Sequence, residues 1–260
     1  MNGSLGRGYY LTAMITRLSG LRALRSLERA LLPAVLAAAA TVALSAEPVA
    51  AQSAQIIDQG SFTITVGNQR TGREDFRIEG TPGASGALEF VARATVVFGD
   101  RRLTPALHSD SLGAPSDYQI ESRGTTTGSE RWSGKITRGR VSARINNARG
   151  ESAKEYIVTD GALILDDDVF HQYFFIARRT NAASVAIVVP RRNAQLVLKV
   201  TNAGTERVTI GTKDIDARHV TLTEPSGDVR DLWVDGKGRV LKVAIPSRNL
   251  VALRDDPPTP

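Results

Sequence analysis

The chain has 260 residues, 42% of them hydrophobic and 23% charged, with a mean hydropathy of −0.15, the composition of a globular chain and not of a disordered or polytopic one. It contains no cysteine, which excludes disulfides, a thiolate nucleophile, cysteine-ligated metal centres and a lipidated-cysteine anchor. The formal charge of +6 argues for nucleic acid only if it is concentrated on one part of the chain.

Much of it is not. Arg7, Arg17, Arg22, Arg25 and Arg29 precede an apolar run over residues 30–46, ALLPAVLAAAATVALSA, which Glu47 and Pro48 interrupt. A basic region, an apolar region and a small-residue exit make a secretory leader, with cleavage expected after Ala51. Met14 is an alternative start. An uncleaved membrane anchor is disfavoured because the run is short for a span, alanine-rich and broken by Pro33. With no adjacent Arg-Arg pair ahead of the run, the general secretory route is expected, and with it a periplasmic or secreted location. Residues 52–260 keep 28 Lys and Arg against 25 Asp and Glu, a net of +3. No basic run exceeds two residues, so no phosphate-tracking stripe is visible and nucleic acid is not expected as a partner.

From Gly60 the dominant signal has period two. Phe62, Ile64 and Val66 alternate with Ser61, Thr63 and Thr65, the pattern of a half-buried strand. Residues 61–79 read as a hairpin through the turn NQRTG, and Phe90 to Phe98 form a longer strand reversing at Gly99-Asp100. SDYQIESRG, SERWSGKITRG, GRVSARINN and AKEYIVTD follow as short strands between polar turns. Later come SVAIVV, AQLVLKV, ERVTIGT, DARHVTLTE, DVRDLWVD and RVLKVAIP. Asn202-Ala203-Gly204, Pro225-Ser226-Gly227 and residues 235–238 supply turn chemistry between them. About a dozen or more strands are expected on this pattern, in one domain over 52–254, with 255–260 a disordered tail.

One segment departs from alternation. In LDDDVFHQYFFIARRT, an Asp of the run Asp166–Asp168 is placed to cap a helix Val169–Arg179, with Arg178 and Arg179 at its C-terminal dipole. Phe170, Tyr173, Phe174 and Phe175 make it the most aromatic-dense stretch after the leader. A helix apolar around most of its circumference must be enclosed. The fold class expected is therefore mainly β, a curved antiparallel sheet of half-barrel or clam type around one short aromatic helix.

The three histidines lack metal-ligand spacing, so neither a metal nor another cofactor is expected. His219 alternates with Thr221 and Thr223 and reads as an outward strand residue. His108 with Asp110 has the outline of a dyad but lacks a nucleophile elbow. The Asp run lacks the alternating ligands of a calcium loop. Trp233 is a ligand-stacking candidate or a sheet-packing residue. The aromatic helix is either the plug of the core or a movable lid over an apolar cavity.

The stretch Asp214–Pro258 resembles the closing hairpins of uncharacterised domain-of-unknown-function proteins related to the periplasmic lipoprotein carriers. Asp231-Leu232-Trp233-Val234-Asp235 and Gly238-Arg239-Val240-Leu241-Lys242 carry the likeness. The resemblance implies a half-barrel fold and, by analogy with the carriers, a concave face that accepts acyl chains; it implies no catalytic residues. The expected function is an exported envelope protein holding a lipid or other apolar ligand, or an envelope partner, between sheet and helix. Phe170, Tyr173, Phe174 and Trp233 are its expected ligand-binding residues. The alternatives are a cell-envelope hydrolase using His108 and Asp110 or His219, and a non-catalytic scaffold offering a sheet edge.

Overall fold

The computed structural model describes residues 54–83 and 86–259. The leader and its cleavage point lie outside the described residues. Fifteen strands make one sheet: β1 (Gln55–Val66), β2 (Gln69–Pro82), β3 (Leu88–Phe98), β4 (Arg101–Asp110), β5 (Pro115–Gly124), β6 (Gly128–Thr137), β7 (Arg140–Asn147), β8 (Gly150–Ile157), β9 (Leu163–Ile164), β10 (Ser184–Val189), β11 (Ala194–Ile210), β12 (Lys213–Thr223), β13 (Val229–Val234), β14 (Val240–Ile245) and β15 (Leu250–Arg254). The protein is mainly β, as the alternation predicts.

Strand order is β8 through β1 in sequence, then β15 down to β9. Each chain-consecutive pair from β1 to β8 and from β10 to β15 is an antiparallel hairpin, while β9 runs parallel to β10. The first strand meets the last in the middle of the sheet, from Phe62 opposite Arg254 to Val66 opposite Leu250. Two meander wings thus meet at β1 and β15. The chain crosses from the outer edge of one wing to the outer edge of the other through residues 158–183.

Period two sets the inner face. Phe62 and Ile64, Phe76 and Ile78, Phe90 and Ala92, Leu103 and Leu107, and Tyr118 and Ile120 are all buried, and they share one core with Leu163–Leu165 and Val169–Ala177 of the crossover. Trp132 is the largest fully buried side chain. It lies across Gly134, where an added Cβ would sit 2.4 Å from Trp132 Cη2, so glycine two residues along the same face makes room for the indole.

Two expectations need correction. The turn expected at Asn202-Ala203-Gly204 is a bulge inside a single 17-residue strand. Gly204 has φ +103°, which glycine adopts without steric cost, so the strand bends and continues without reversing. Beyond the bend, Val208 and Ile210 of β11 and Ala217 of β12 pack with Trp233 and Leu241 in a second small core. The hairpin tip therefore folds onto the outer face of β13 and β14. The helix is shorter than expected, α1 (Tyr173–Ala177), five residues with Gln172 as an N-cap that makes no side-chain cap bond. Asp166–Asp168 do not cap it, because arginines from other elements claim their carboxylates.

Past β15 the chain is tied back: the Asp255 N–H donates to Ser61 O at 2.9 Å, and Arg73 ion-pairs with the Asp255 carboxylate.

Candidate functional site

The crossover is held to the sheet chiefly by side chains. Asp166 Oδ2 accepts from Tyr118 Oη at 3.1 Å and from Arg191 Nε at 3.1 Å. Asp167 receives Arg192 as a two-pronged pair, at 2.6 and 2.7 Å. Asp168 pairs with Arg101 of β4 at 2.8 Å and with Arg248, beyond β14, at 2.6 Å. Three consecutive carboxylates thus engage four arginines. Asp168 also has φ +61°, a conformation Asp tolerates better than most residues, and it turns the chain toward Val169. Burial pushes the Asp166 carboxyl up, with Arg191 opposing it.

Glu74 completes the fastening. It is wholly buried on β2 and accepts the Phe170 N–H at 2.6 Å, the His171 N–H at 3.0 Å and a contact from His171 Nδ1 at 2.5 Å. His171 in turn lies parallel to Phe76, 6.1 Å between centroids. Gln172 Oε1 accepts the Asp166 N–H at 2.6 Å.

Three of the four expected ligand residues come together here. Phe170 and Phe174 are 1% and 2% exposed and Tyr173 2%. Phe174 meets Phe90 edge-on at 6.0 Å and Phe175 at 5.3 Å, and the Arg178 guanidinium lies over both Phe90 and Phe174. Tyr173 Oη accepts from Arg230 Nη1 at 3.1 Å; burial raises its phenol, while Arg230 opposes the rise. Arg230 is itself paired with Glu224. These side chains fill their own space. Cavities of 340, 680, 590 and 210 Å³ lie elsewhere, and none is lined by Phe170, Tyr173 or Phe174.

Trp233, the fourth, is on the opposite face of the sheet. Its indole stacks on His219 at 4.3 Å, lies under Lys242 Nζ at 4.2 Å and donates to Glu206 Oε2 at 2.8 Å. His219 faces Glu206 through Nδ1 at 2.7 Å and Asp231 through Nε2 at 3.0 Å. Glu206 comes from β11 beyond its bend, so this cluster clasps the hairpin tip to β13. The indole and imidazole contacts hold the Glu206 carboxyl below its usual range. A carboxyl held low stabilises the fold above its ordinary pKa, and that contribution is lost as pH falls through the lowered value. Acid titration should therefore change tryptophan emission with a midpoint below the ordinary glutamate pKa, and Glu206→Gln should lack the step. An unchanged titration in the variant would remove Glu206 from the clasp.

The histidines occupy three separate places: His171 in the core, His219 in the clasp, and His108 exposed on β4. Asp110, the expected partner of His108, lines the 340 Å³ cavity with it, while its Oδ1 accepts the Leu112 and Ala114 N–H groups at 2.9 and 2.8 Å and shapes the β4–β5 turn. The carboxylate opposite His108 across the sheet is Asp117. Among the described residues no group of three or more His, Asp or Glu side chains is arranged to hold a metal ion. The residues that sequence reasoning missed are the partners of the crossover: Glu74, Arg101, Arg191, Arg192, Arg230 and Arg248.

No family model matches the sequence, and no curated protein does. Among solved structures, the chain is similar to a β-barrel-like protein of the domain of unknown function DUF1849 from Brucella abortus. The two share 9% identity with a TM-score of 0.48, over 78% of this chain and 96% of that one.

Proposed function

We propose that the protein is an exported, non-catalytic binding module of the cell envelope in which the curved sheet closes around its own aromatic segment, Val169–Ala177. The observation that supports this is the burial of Phe170, Tyr173 and Phe174 against the inner face. In this reading the segment is the resident occupant of a face shaped for apolar matter, and an apolar or amphiphilic guest enters only by displacing it. The segment makes few ladder hydrogen bonds beyond β9 and Leu165; a guest has to replace its apolar core contacts and release its side-chain pairs to Glu74, Arg101, Arg191, Arg192, Arg230 and Arg248. Export rests on the basic-then-apolar leader, and the likeness of residues 214–258 to relatives of lipoprotein carriers agrees with an apolar guest.

A fluorescent fatty acid tests the reading. Uptake should be saturable, should be accompanied by faster amide exchange at residues 166–177, and should tighten in Asp168→Asn, where the Arg101 and Arg248 pairs are weakened. Failure of both wild type and variant to take up the probe overturns the guest. The same ion pairs favour a second reading, a scaffold with a permanent plug, and that reading predicts no uptake with slow exchange throughout the segment.

A further inference from the structure

The outer face of the β1–β8 wing carries a feature unrelated to the interior. The 680 Å³ cavity is open to solvent and lies over β4 to β7. It shares Ala106 and Gln119 with the 590 Å³ cavity over β2 to β5, which shares Thr104 with the 210 Å³ cavity. Together they form one trough crossing six adjacent strands, about 24 Å at the usual inter-strand spacing. The floor is low because small side chains occupy the outward positions in its middle, chiefly Thr95, Thr104, Ala106 and Ser133.

Its walls are chemically mixed. Six cationic side chains line the three cavities, Arg77, Arg93, Arg102, Arg123, Lys135 and Arg144, against three carboxylates, Asp75, Asp117 and Glu121. Four of the six cations are already paired: Arg123 with Glu121, Arg77 and Arg93 with Glu79, and Arg144 with Glu151. Lys135 and Arg102 make no ion pair among the described residues, although both are exposed on regular strands. His108, Asp117, Lys135 and Ser142 stand in one transverse row, each opposite the next across a strand pair. Side chains so placed have Cβ atoms about 5 Å apart, a comb of a cation, a carboxylate, an imidazole and a hydroxyl along a line.

We propose that this trough binds an acidic sugar chain, a glycan bearing carboxylate or phosphate groups. Lys135 and Arg102, the two lining cations without an ion-pair partner among the described residues, complement the acid groups. Asp117, Gln119 and the serines complement hydroxyls, which a bare polyanion would not offer to a carboxylate. The lining presents no outward aromatic ring for stacking bases, and base stacking is what single-stranded nucleic acid uses. The inference does not depend on whether the interior takes a guest.

The test is titration of the whole exported chain with oligogalacturonate, a phosphomannan oligosaccharide, neutral dextran, single-stranded DNA and vesicles containing anionic lipid. At least one acidic glycan should bind, with affinity falling as salt rises, and neutral dextran should not bind at the same concentration. Lys135→Ala and Arg102→Ala should each weaken binding roughly tenfold, the scale of one charge-assisted hydrogen bond, and Lys135→Arg should retain most of it. Asp117→Asn should weaken binding of the sugar while leaving any binding of DNA unchanged or stronger. All three positions are exposed, so circular dichroism should show unaltered folds. The proposal is overturned if neither acidic glycan binds, if the alanine variants bind as wild type does, or if DNA or anionic vesicles bind as tightly with the same variant dependence.

Discussion

Replacing Glu74 by alanine should lower the unfolding free energy by about 3–5 kcal/mol, because three donors aimed at its carboxylate lose their acceptor in a dry place. Two of those donors are the backbone N–H groups of Phe170 and His171. The third contact is His171 Nδ1, on a ring whose other nitrogen, Nε2, is buried without a partner. Glu74 and His171 side chains are both 0% exposed, so bulk solvent does not reach the donors. Glu74→Gln should fall between wild type and alanine: its amide oxygen still accepts, while its NH₂ group meets a donor. Urea denaturation measures the loss, and amide exchange at Phe170 and His171 locates it. A change below about 1 kcal/mol in Glu74→Ala, with exchange unaltered, would show that Glu74 does not fasten the crossover.

How much of this was legible in the sequence depends on which face a residue takes. Alternation places Phe62, Phe76, Phe90 and Val220 correctly inward because every second residue of a half-buried strand faces the core. The same parity contains the buried charges. Glu74 is in step with Phe76 and Ile78, Asp58 with Phe62 and Ile64, Arg254 with Leu250 and Ala252, and Arg230 with Leu232 and Val234, and all four charged residues are buried. A charge in step with an apolar face was the available signal. What parity does not disclose is the partner, because Asp58 and Arg254 are 196 residues apart and meet only when β1 pairs with β15. The helix was overextended for a related reason. Asp166–Asp168 have the composition of a cap, but their arginines come from β4 and from the stretches following β10 and β14, and these tertiary pairs override the local preference. The bend at Gly204 looked like a reversal because glycine and asparagine serve turns and bulges alike. Trp233 was legible only as a stacking or sheet-packing residue, since its His219 neighbour is fixed by the β12–β13 register, which no local pattern states.

The pair that joins the two wings yields the other strong test. Arg254 Nη1 and Nη2 donate to the two oxygens of Asp58 at 3.0 and 2.8 Å, Nη2 also donates to Gln59 O at 2.5 Å, and the guanidinium lies 5.3 Å from the Phe76 ring centroid. Both side chains are nearly sealed, at 2% and 3% exposure. Arg254→Met should cost about 3–5 kcal/mol, since it strands the Asp58 carboxylate without a counter-charge. Arg254→Lys should cost less than Arg254→Met but remain destabilising, because the ammonium keeps a counter-charge while losing the two-pronged geometry. The double replacement Asp58→Leu with Arg254→Met should recover most of the loss, as burying two apolar groups removes the desolvation penalty along with the attraction. Gly60 belongs to the same construction: a Cβ there would stand 2.9 Å from Arg254 Nη2, so Gly60→Ala should disturb the arginine and be partly rescued by Arg254→Met. If the double variant is no more stable than the Arg254→Met single variant, the pair is not the source of the loss. The loss would then come from the guanidinium's contacts with Phe76 and Gln59 O.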